Sequence, residues 1–112
     1  MSMEQYQVKM TDHATEQMGE AVSYISKMLL VPDVALRWSE RIQAEIASLS
    51  KMPGRHPLTP EEPWRSEGVH KMSVENFLVY YWINETERIV WVTAIVYGRR
   101  DQLNMLRNMP IK

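Results

Sequence analysis

The sequence predicts a single α+β domain built in the order β-α-α-β-β-β. Three apolar runs in the second half of the chain are rich in β-branched and aromatic residues and are separated by short polar gaps: Val69 to Val74, Phe77 to Ile83 and Ile89 to Tyr97. Such runs predict a meander of three antiparallel strands. Two segments with helical periodicity precede the meander, and one alternating segment precedes both helices.

The N-terminal elements follow from periodicity and capping. Apolar and polar residues alternate over Gln5–Met10, as in a half-buried strand. Thr11 or Asp12 supplies the N-cap of the first helix, and Pro32 stops that helix. Asp33 is expected to cap the second helix, which Pro53-Gly54 ends. The second helix has one apolar stripe, formed by Val34, Trp38, Ile42, Ile46 and Leu49.

The link between the two helices is so short that they are expected to form an antiparallel hairpin, with one face on the sheet. A stiff, proline-rich loop is predicted over residues 53–63, and a turn over residues 84–87. Residues 101–109 suit a short C-terminal helix, which Pro110 would end.

Composition excludes several classes of protein. A chain of 112 residues without cysteine is expected to be one domain with neither disulfides nor cysteine-ligated zinc, in keeping with a reducing cytoplasm. Neither a signal peptide nor an apolar run long enough to cross a membrane is visible. The net charge is −3 over residues 1–50 and +2 over residues 51–112, an asymmetry far weaker than that of a dedicated nucleic-acid binder.

Cofactor and metal chemistry are not expected. The chain has no glycine-rich phosphate loop, and its three histidines, His13, His56 and His70, lack metal-ligand spacing.

The remaining candidate is a cluster of basic and polar residues around the sheet, comprising His56, Arg65, His70, Lys71, Glu75, Arg99 and Arg100. Cleavage of RNA without metal needs a base for the 2′-hydroxyl, an acid for the leaving oxygen, and cations beside the phosphate. Histidine suits the proton transfers near neutral pH, and arginine suits the phosphate.

Several of these residues, and two tryptophans, also have a purely structural interpretation. His56 would be a solvated loop histidine, and Lys71 would lie on the solvent face of its strand, because alternation groups it with Val69 and Ser73. Arg99 and Arg100 would form a salt bridge at the rim with Asp101 or Glu75. Trp64 and Trp82 would be core residues instead of stacking platforms for bases.

Four segments in order resemble the RelE/ParE superfamily of toxins from bacterial type II toxin–antitoxin modules. They are Tyr6 to Met10 with Thr11 and Ala14, Tyr24-Ile25, Asn76 to Tyr81, and Ile95 to Asp101 with its Gly98-Arg99-Arg100 exit. The resemblance implies two helices packed on a twisted antiparallel sheet, and a cognate antitoxin that wraps the toxin. It also implies one of two poisons: RelE-like members cut mRNA in the ribosome, whereas ParE-like members block DNA gyrase.

The resemblance carries over to individual positions. It implies phosphate binding by Arg100 with Arg99 beside it, a basic strand position at Lys71 with His70 adjacent, a histidine at His56-Pro57-Leu58, and an acid at Glu75. Two positions depart from the RNA-cleaving type. Its central-strand arginine is Phe77 here, and its C-terminal catalytic tyrosine falls near Leu106.

The sequence thus predicts a toxin whose first candidate activity is ribosome-dependent, metal-independent mRNA cleavage. The catalytic candidates are His56, Lys71, Glu75 and Arg100, and the candidates for RNA or phosphate binding are Arg65, His70 and Arg99. The alternatives are a gyrase inhibitor without chemistry of its own and a non-toxic module that binds an antitoxin.

Overall fold

The computed structural model describes residues 5–28, 32–75 and 77–97, and the predicted order of elements is confirmed there. The elements are strand β1 (Gln7–Met10), helices α1 (Asp12–Met28) and α2 (Pro32–Ala47), and strands β2 (His70–Val74), β3 (Phe77–Asn84) and β4 (Ile89–Tyr97). The helix predicted over residues 101–109 lies outside the described residues.

The four strands form one sheet in the order β1-β4-β3-β2. Strands β2, β3 and β4 form the predicted antiparallel meander. Strand β1 pairs in parallel with β4, from Gln7 opposite Ile89 to Met10 opposite Val92. Among the described strands, the first and the last are therefore neighbours, and β1 lies at one edge of the described sheet.

Local signals set the helix ends, with two corrections to the sequence-based expectation. The Thr11 hydroxyl caps α1 by accepting a hydrogen bond from the Ala14 amide at 3.1 Å. Helix α2 begins at Pro32, so Asp33 lies inside its first turn and is not its cap. Proline is well suited to this position, where no intrahelical N–H donor is needed.

The second helix also ends earlier than predicted, at Ala47, and two 3₁₀ turns follow at Ser48–Ser50 and Pro53–Arg55. The Arg55 guanidinium donates to the carbonyls of Lys51 and Met52, at 2.7 and 3.1 Å, and so holds these turns together.

Apolar side chains cover both faces of the sheet. The helix side holds the larger core, centred on Ile42, Leu49, Phe77 and Val79. The opposite side, called the open face below, holds a smaller cluster of Trp64, Val69, Tyr80, Ala94 and Val96, with Leu78 and Trp82 packed against it. Trp64 is thus a core residue, as the structural interpretation of this tryptophan predicted.

A β-bulge lies in the middle of β4. Tyr80 is opposite Ala94 and Tyr81 is opposite Val92, so Thr93 is the extra residue. Helix α1 satisfies the backbone beside the bulge, because the Gln17 side-chain oxygen accepts a hydrogen bond from the Ile95 amide at 2.8 Å. This hydrogen bond therefore ties helix α1 to the part of β4 that contains the bulge.

Candidate functional site

Strand β2 separates two of the predicted site residues. His70 shares the helix side with Met72 and Val74, whereas Lys71 points to the open face with the exposed Ser73. Neighbours in a strand project in opposite directions. His70 and Lys71 therefore belong to different surfaces.

On the helix side, three rings form a cluster at the edge of the sheet. His70 stacks on Tyr81 with ring centroids 5.1 Å apart, and His56 meets the same tyrosine edge-on at 6.4 Å. His70 Nδ1 lies 2.7 Å from the His56 carbonyl oxygen, and the Tyr81 hydroxyl donates to the Pro53 carbonyl. These contacts fasten the loop after α2 to the sheet.

The surroundings of the His56 ring favour its neutral form. Burial, assisted by the positive charge of Arg55, lowers the pKa of His56 below its usual value of 6.5, although Glu45 opposes the shift. The His56 Nε2 atom is buried and has no hydrogen-bond partner among the described residues. Burial also raises the pKa of Tyr81 to about 12. At neutral pH these shifts favour the uncharged forms of His56 and Tyr81.

On the open face, Lys71 has an acidic partner. Its ammonium lies 3.8 Å from a Glu61 carboxylate oxygen, and the Thr59 hydroxyl donates to the same carboxylate. The neighbouring Tyr80 is fully buried, and its pKa is raised to about 12 by burial and by the negative charge of Glu61. The charge of Lys71 is thus compensated within the chain.

The other candidates lie elsewhere. Glu75 follows β2 with a positive φ of 55° and pairs with Arg41 of α2 at 3.4 Å. Glu75 lies five positions along the chain from His70, which corresponds to about 17 Å of extended strand. Arg65 is exposed in the turn after Pro63 and forms no ion pair with another described residue. Arg99 and Arg100 lie outside the described residues.

Several participants were not expected from the sequence. Tyr81 contacts both histidine rings, Glu61 pairs with Lys71, and the positive charge of Arg55 acts on His56. Nothing in the sequence around Glu61 or Arg55 marks these two residues. One signal was available: Tyr80 and Tyr81 are consecutive in a strand, so their hydroxyls had to lie on opposite faces.

An apolar groove of about 380 Å³ lies beside β1 on the helix side. It is lined by Val8, Met10, Thr15, Met18, Gln43, Ile46 and Ala47. On the side of β1 that faces β4, the Gln7 amide donates to the carbonyl of Arg88, just before β4, and the Thr11 amide donates to the carbonyl of Val92 in β4. By alternation, the backbone groups of Val8 and Met10 face outwards along the edge.

Within the described ranges, no three His, Cys, Asp or Glu side chains converge as metal ligands. The helices of that part of the chain are also too short or too polar to cross a membrane. The described residues thus form two separate polar clusters, the rings of His56, His70 and Tyr81 and the ion pair of Lys71 with Glu61, beside an apolar groove.

Comparison with known proteins places this fold in a family. Residues 8–102 match the model of the ParE toxin of the type II toxin–antitoxin system parDE. A search of curated protein sequences gave no significant match.

Solved structures that are similar in fold include three toxin–antitoxin proteins. A chromosomal ParDE system from P. aeruginosa superimposes with a TM-score of 0.69 at 17% identity, over 86% of this chain and 99% of that chain. The RelBE toxin–antitoxin complex of Mycobacterium tuberculosis gives 0.58 at 20%, over 89% and 98%. An arginine-to-alanine double variant of E. coli RelE in the free state gives 0.61 at 10%, over 92% of both chains.

The match to the family model spans most of the sequence, and the fold agrees with it, so the resemblance seen in the sequence is confirmed. The chain belongs to the ParE family of toxins from type II toxin–antitoxin systems.

Proposed function

We propose that this chain inhibits bacterial growth from the cytoplasm by binding DNA gyrase, without cutting RNA. The proposal rests on one observation: the predicted catalytic residues lie apart from one another in the fold. The sequence favoured mRNA cleavage, and the placement of His56, Lys71 and Glu75 supports the alternative.

Proton transfer to and from one ribose–phosphate unit needs an acid and a base within about 3 Å of the reacting oxygens. His56 and His70 lie on the helix side of the sheet, and Lys71 lies on the open face. Glu75 lies at the far end of β2. No single phosphate can touch these groups together unless the fold changes.

Two of the charges that RNA cleavage would use are also paired within the chain. Lys71 is paired with Glu61, and Glu75 is paired with Arg41. Phe77 stands where the RNA-cleaving type has an arginine, and it is buried against Trp38 and Tyr97, with ring centroids 6.3 and 4.9 Å away. Because Phe77 is apolar and buried, it cannot contact a phosphate.

The experiment that separates gyrase inhibition from RNA cleavage adds purified protein to two reactions. One is gyrase supercoiling of a plasmid, and the other is cell-free translation with primer extension along the message. The proposal expects inhibited supercoiling and an intact message. Discrete cuts on ribosome-bound message would overturn it and restore His56 and Lys71 as catalytic candidates. A protein inactive in both reactions would be a non-toxic antitoxin-binding module.

Arg99 and Arg100 remain candidates for contact with the target. In the proposed function they supply positive charge to gyrase or its DNA, and in mRNA cleavage they would hold the phosphate. In either case Arg100→Ala is expected to restore growth to cells that express the toxin. A folded Arg100→Ala protein of full toxicity would remove Arg100 from the site.

The partner proposed for the toxin is a cognate antitoxin seated in the groove beside β1. The groove offers an apolar floor of Val8, Met18 and Ile46 next to an edge strand, which suits an amphipathic segment. Ala47→Arg adds a charge to an exposed wall of the groove and is expected to weaken antitoxin binding. The matched control is Ala44→Arg, since Ala44 is also exposed on α2 but does not line the groove. Equal binding by both variants would contradict this docking.

A further inference from the structure

A short segment of the loop after α2 runs along the outer edge of β2. Leu58 lies opposite His70 in an isolated antiparallel bridge. Two backbone hydrogen bonds flank this bridge, from the Thr59 amide to Val69 at 2.8 Å and from the Lys71 amide to Pro57 at 3.0 Å. We call residues 56–59 the strap. The strap occupies backbone groups that β2 would otherwise present at an unpaired edge.

The strap is attached to the sheet mainly through His56. Alternation from Leu58, which shares its side with the opposing His70, places the His56 ring on the helix side of the sheet. There the ring contacts Tyr81 edge-on, and Tyr81 stacks on His70. The His56 carbonyl accepts a hydrogen bond from His70 Nδ1 at 2.7 Å. Both the ring and the backbone of His56 therefore hold the strap on β2.

This position suits a neutral imidazole and not an imidazolium. The His56 Nε2 atom is buried without a hydrogen-bond partner among the described residues. Protonation puts a hydrogen on both ring nitrogens, so the packed ring would bury a charged donor that has no acceptor.

The charged groups around the ring act in both directions. Arg55, in the same loop, and His70, on β2, oppose a positive charge on His56, whereas Glu45 of α2 favours one. Burial is the largest influence, and the pKa of His56 is lowered overall. The third ring of the cluster, Tyr81, lies against His56 without adding a charge at neutral pH, because its own pKa is raised to about 12.

The strap has few contacts that would prevent it from detaching by itself. No residue of the strap belongs to either apolar cluster of the described part of the chain. Pro57 is exposed, and His56 and Leu58 are only half-buried. Thr59 is buried, but its hydroxyl binds Glu61 of the same loop. Segments with so little buried apolar surface open at a lower free energy than the whole domain.

We propose that the strap is a pH-sensitive element, in which protonation of His56 detaches residues 56–59 from β2 while the rest of the fold stays intact. The detached ring is solvated and takes up a proton from water at its usual pKa, near 6.5. One linked proton raises the equilibrium constant for detachment by at most about tenfold for each pH unit below that value. Acid thereby exposes the backbone edge of β2. This inference does not depend on which target the toxin inhibits.

The test is amide hydrogen exchange of the full chain, followed residue by residue by NMR at about pH 7.5, 6.5 and 5.5. Each rate is divided by the rate of an unstructured peptide at the same pH. The reporters are the Thr59 and Lys71 amides, which lose their acceptors when the strap detaches. The reference is the Ile95 amide, at a buried position of β4. The reporters are expected to open more readily than Ile95, increasingly so in acid, and without acceleration by low urea.

Two variants identify the group that titrates. His56→Gln has no proton to gain and is expected to abolish the increase in reporter opening between pH 7.5 and 5.5, whatever the stability of the variant. The matched control is Glu61→Gln, which removes the carboxylate that contacts Thr59 and Lys71 on the open face. This control is expected to keep the increase.

Three results would overturn the inference. The first is an unchanged increase in His56→Gln, and the second is its loss in Glu61→Gln, because each would assign the titration to a group other than His56. The third is reporter opening equal to that of Ile95 at every pH, because the strap would then detach only when the whole domain unfolds.

Discussion

Replacing each of the two adjacent tyrosines of β3 by phenylalanine is expected to shift stability in different directions. Both side chains are fully buried, and each substitution removes one hydroxyl. The Tyr81 hydroxyl donates to the Pro53 carbonyl, whereas the Tyr80 hydroxyl has no partner among the described residues. The two substitutions thus differ in whether a hydrogen bond is lost.

The magnitudes follow from the cost of unsatisfied buried groups. Tyr81→Phe leaves the Pro53 carbonyl without its donor and is expected to cost about 1–3 kcal/mol of unfolding free energy. Tyr80→Phe removes a hydroxyl that is already desolvated and unpaired, so it is expected to be neutral or to stabilise by up to about 1 kcal/mol. In a domain of this size about 1 kcal/mol corresponds to roughly 4 °C in Tm.

Urea and thermal unfolding of both variants beside the wild type, followed by far-UV circular dichroism, measure the difference. Tyr81→Phe is expected to melt roughly 4–12 °C lower, and Tyr80→Phe at or above the wild-type temperature. An equal loss in the two variants would refute the reasoning, because it would mean that the Tyr80 hydroxyl is as well satisfied as that of Tyr81.

Three further predictions concern the core, the bulge and pH. Ile42→Ala, at a fully buried position of α2, is expected to cost about 2–5 kcal/mol in urea unfolding, and a smaller loss would show that the cavity collapses. Gln17→Leu introduces a side chain of similar size but leaves the Ile95 amide without its acceptor, so it is expected to cost about 1–3 kcal/mol of unfolding free energy. Wild-type stability of this variant in urea unfolding would contradict the role of that hydrogen bond. Because the pKa of His56 is lowered in the fold, the unfolded chain binds a proton that the folded chain does not as pH falls below 6.5, and stability is lost in that direction. His56→Gln is therefore expected to lose less stability than the wild type between about pH 7 and pH 5, and an equal loss in urea unfolding would contradict this linkage.

The elements of the fold were predictable because their signals are local. The β-branched and aromatic runs near Phe77 and Ile89 predicted strands that the structure contains, and Thr11 was correctly included among the capping candidates. The end of α2 was misplaced by several residues. The 3₁₀ turns after Ala47 depend on a side chain, Arg55, that reaches back over the loop.

The candidate site was predictable only in part. Alternation correctly assigned His70 and Lys71 to opposite faces of β2, but periodicity does not reveal which face the helices cover. The position of His56 depends on its ring contact with Tyr81, 25 positions away in the chain. Contacts between residues so distant in sequence leave no periodic signal.

The sequence by itself determined the order of elements, the family and the types of residue available for chemistry. These depend on propensity, periodicity and short motifs, which act over a few neighbouring residues. The tertiary structure decided which of those residues meet. Parallel pairing of β1 with β4 brings Lys9 beside Trp91, and the Thr93 bulge sets which side chains of β4 face outwards. Both arrangements are fixed by strand register and by packing between distant segments, so they exist only in the folded chain.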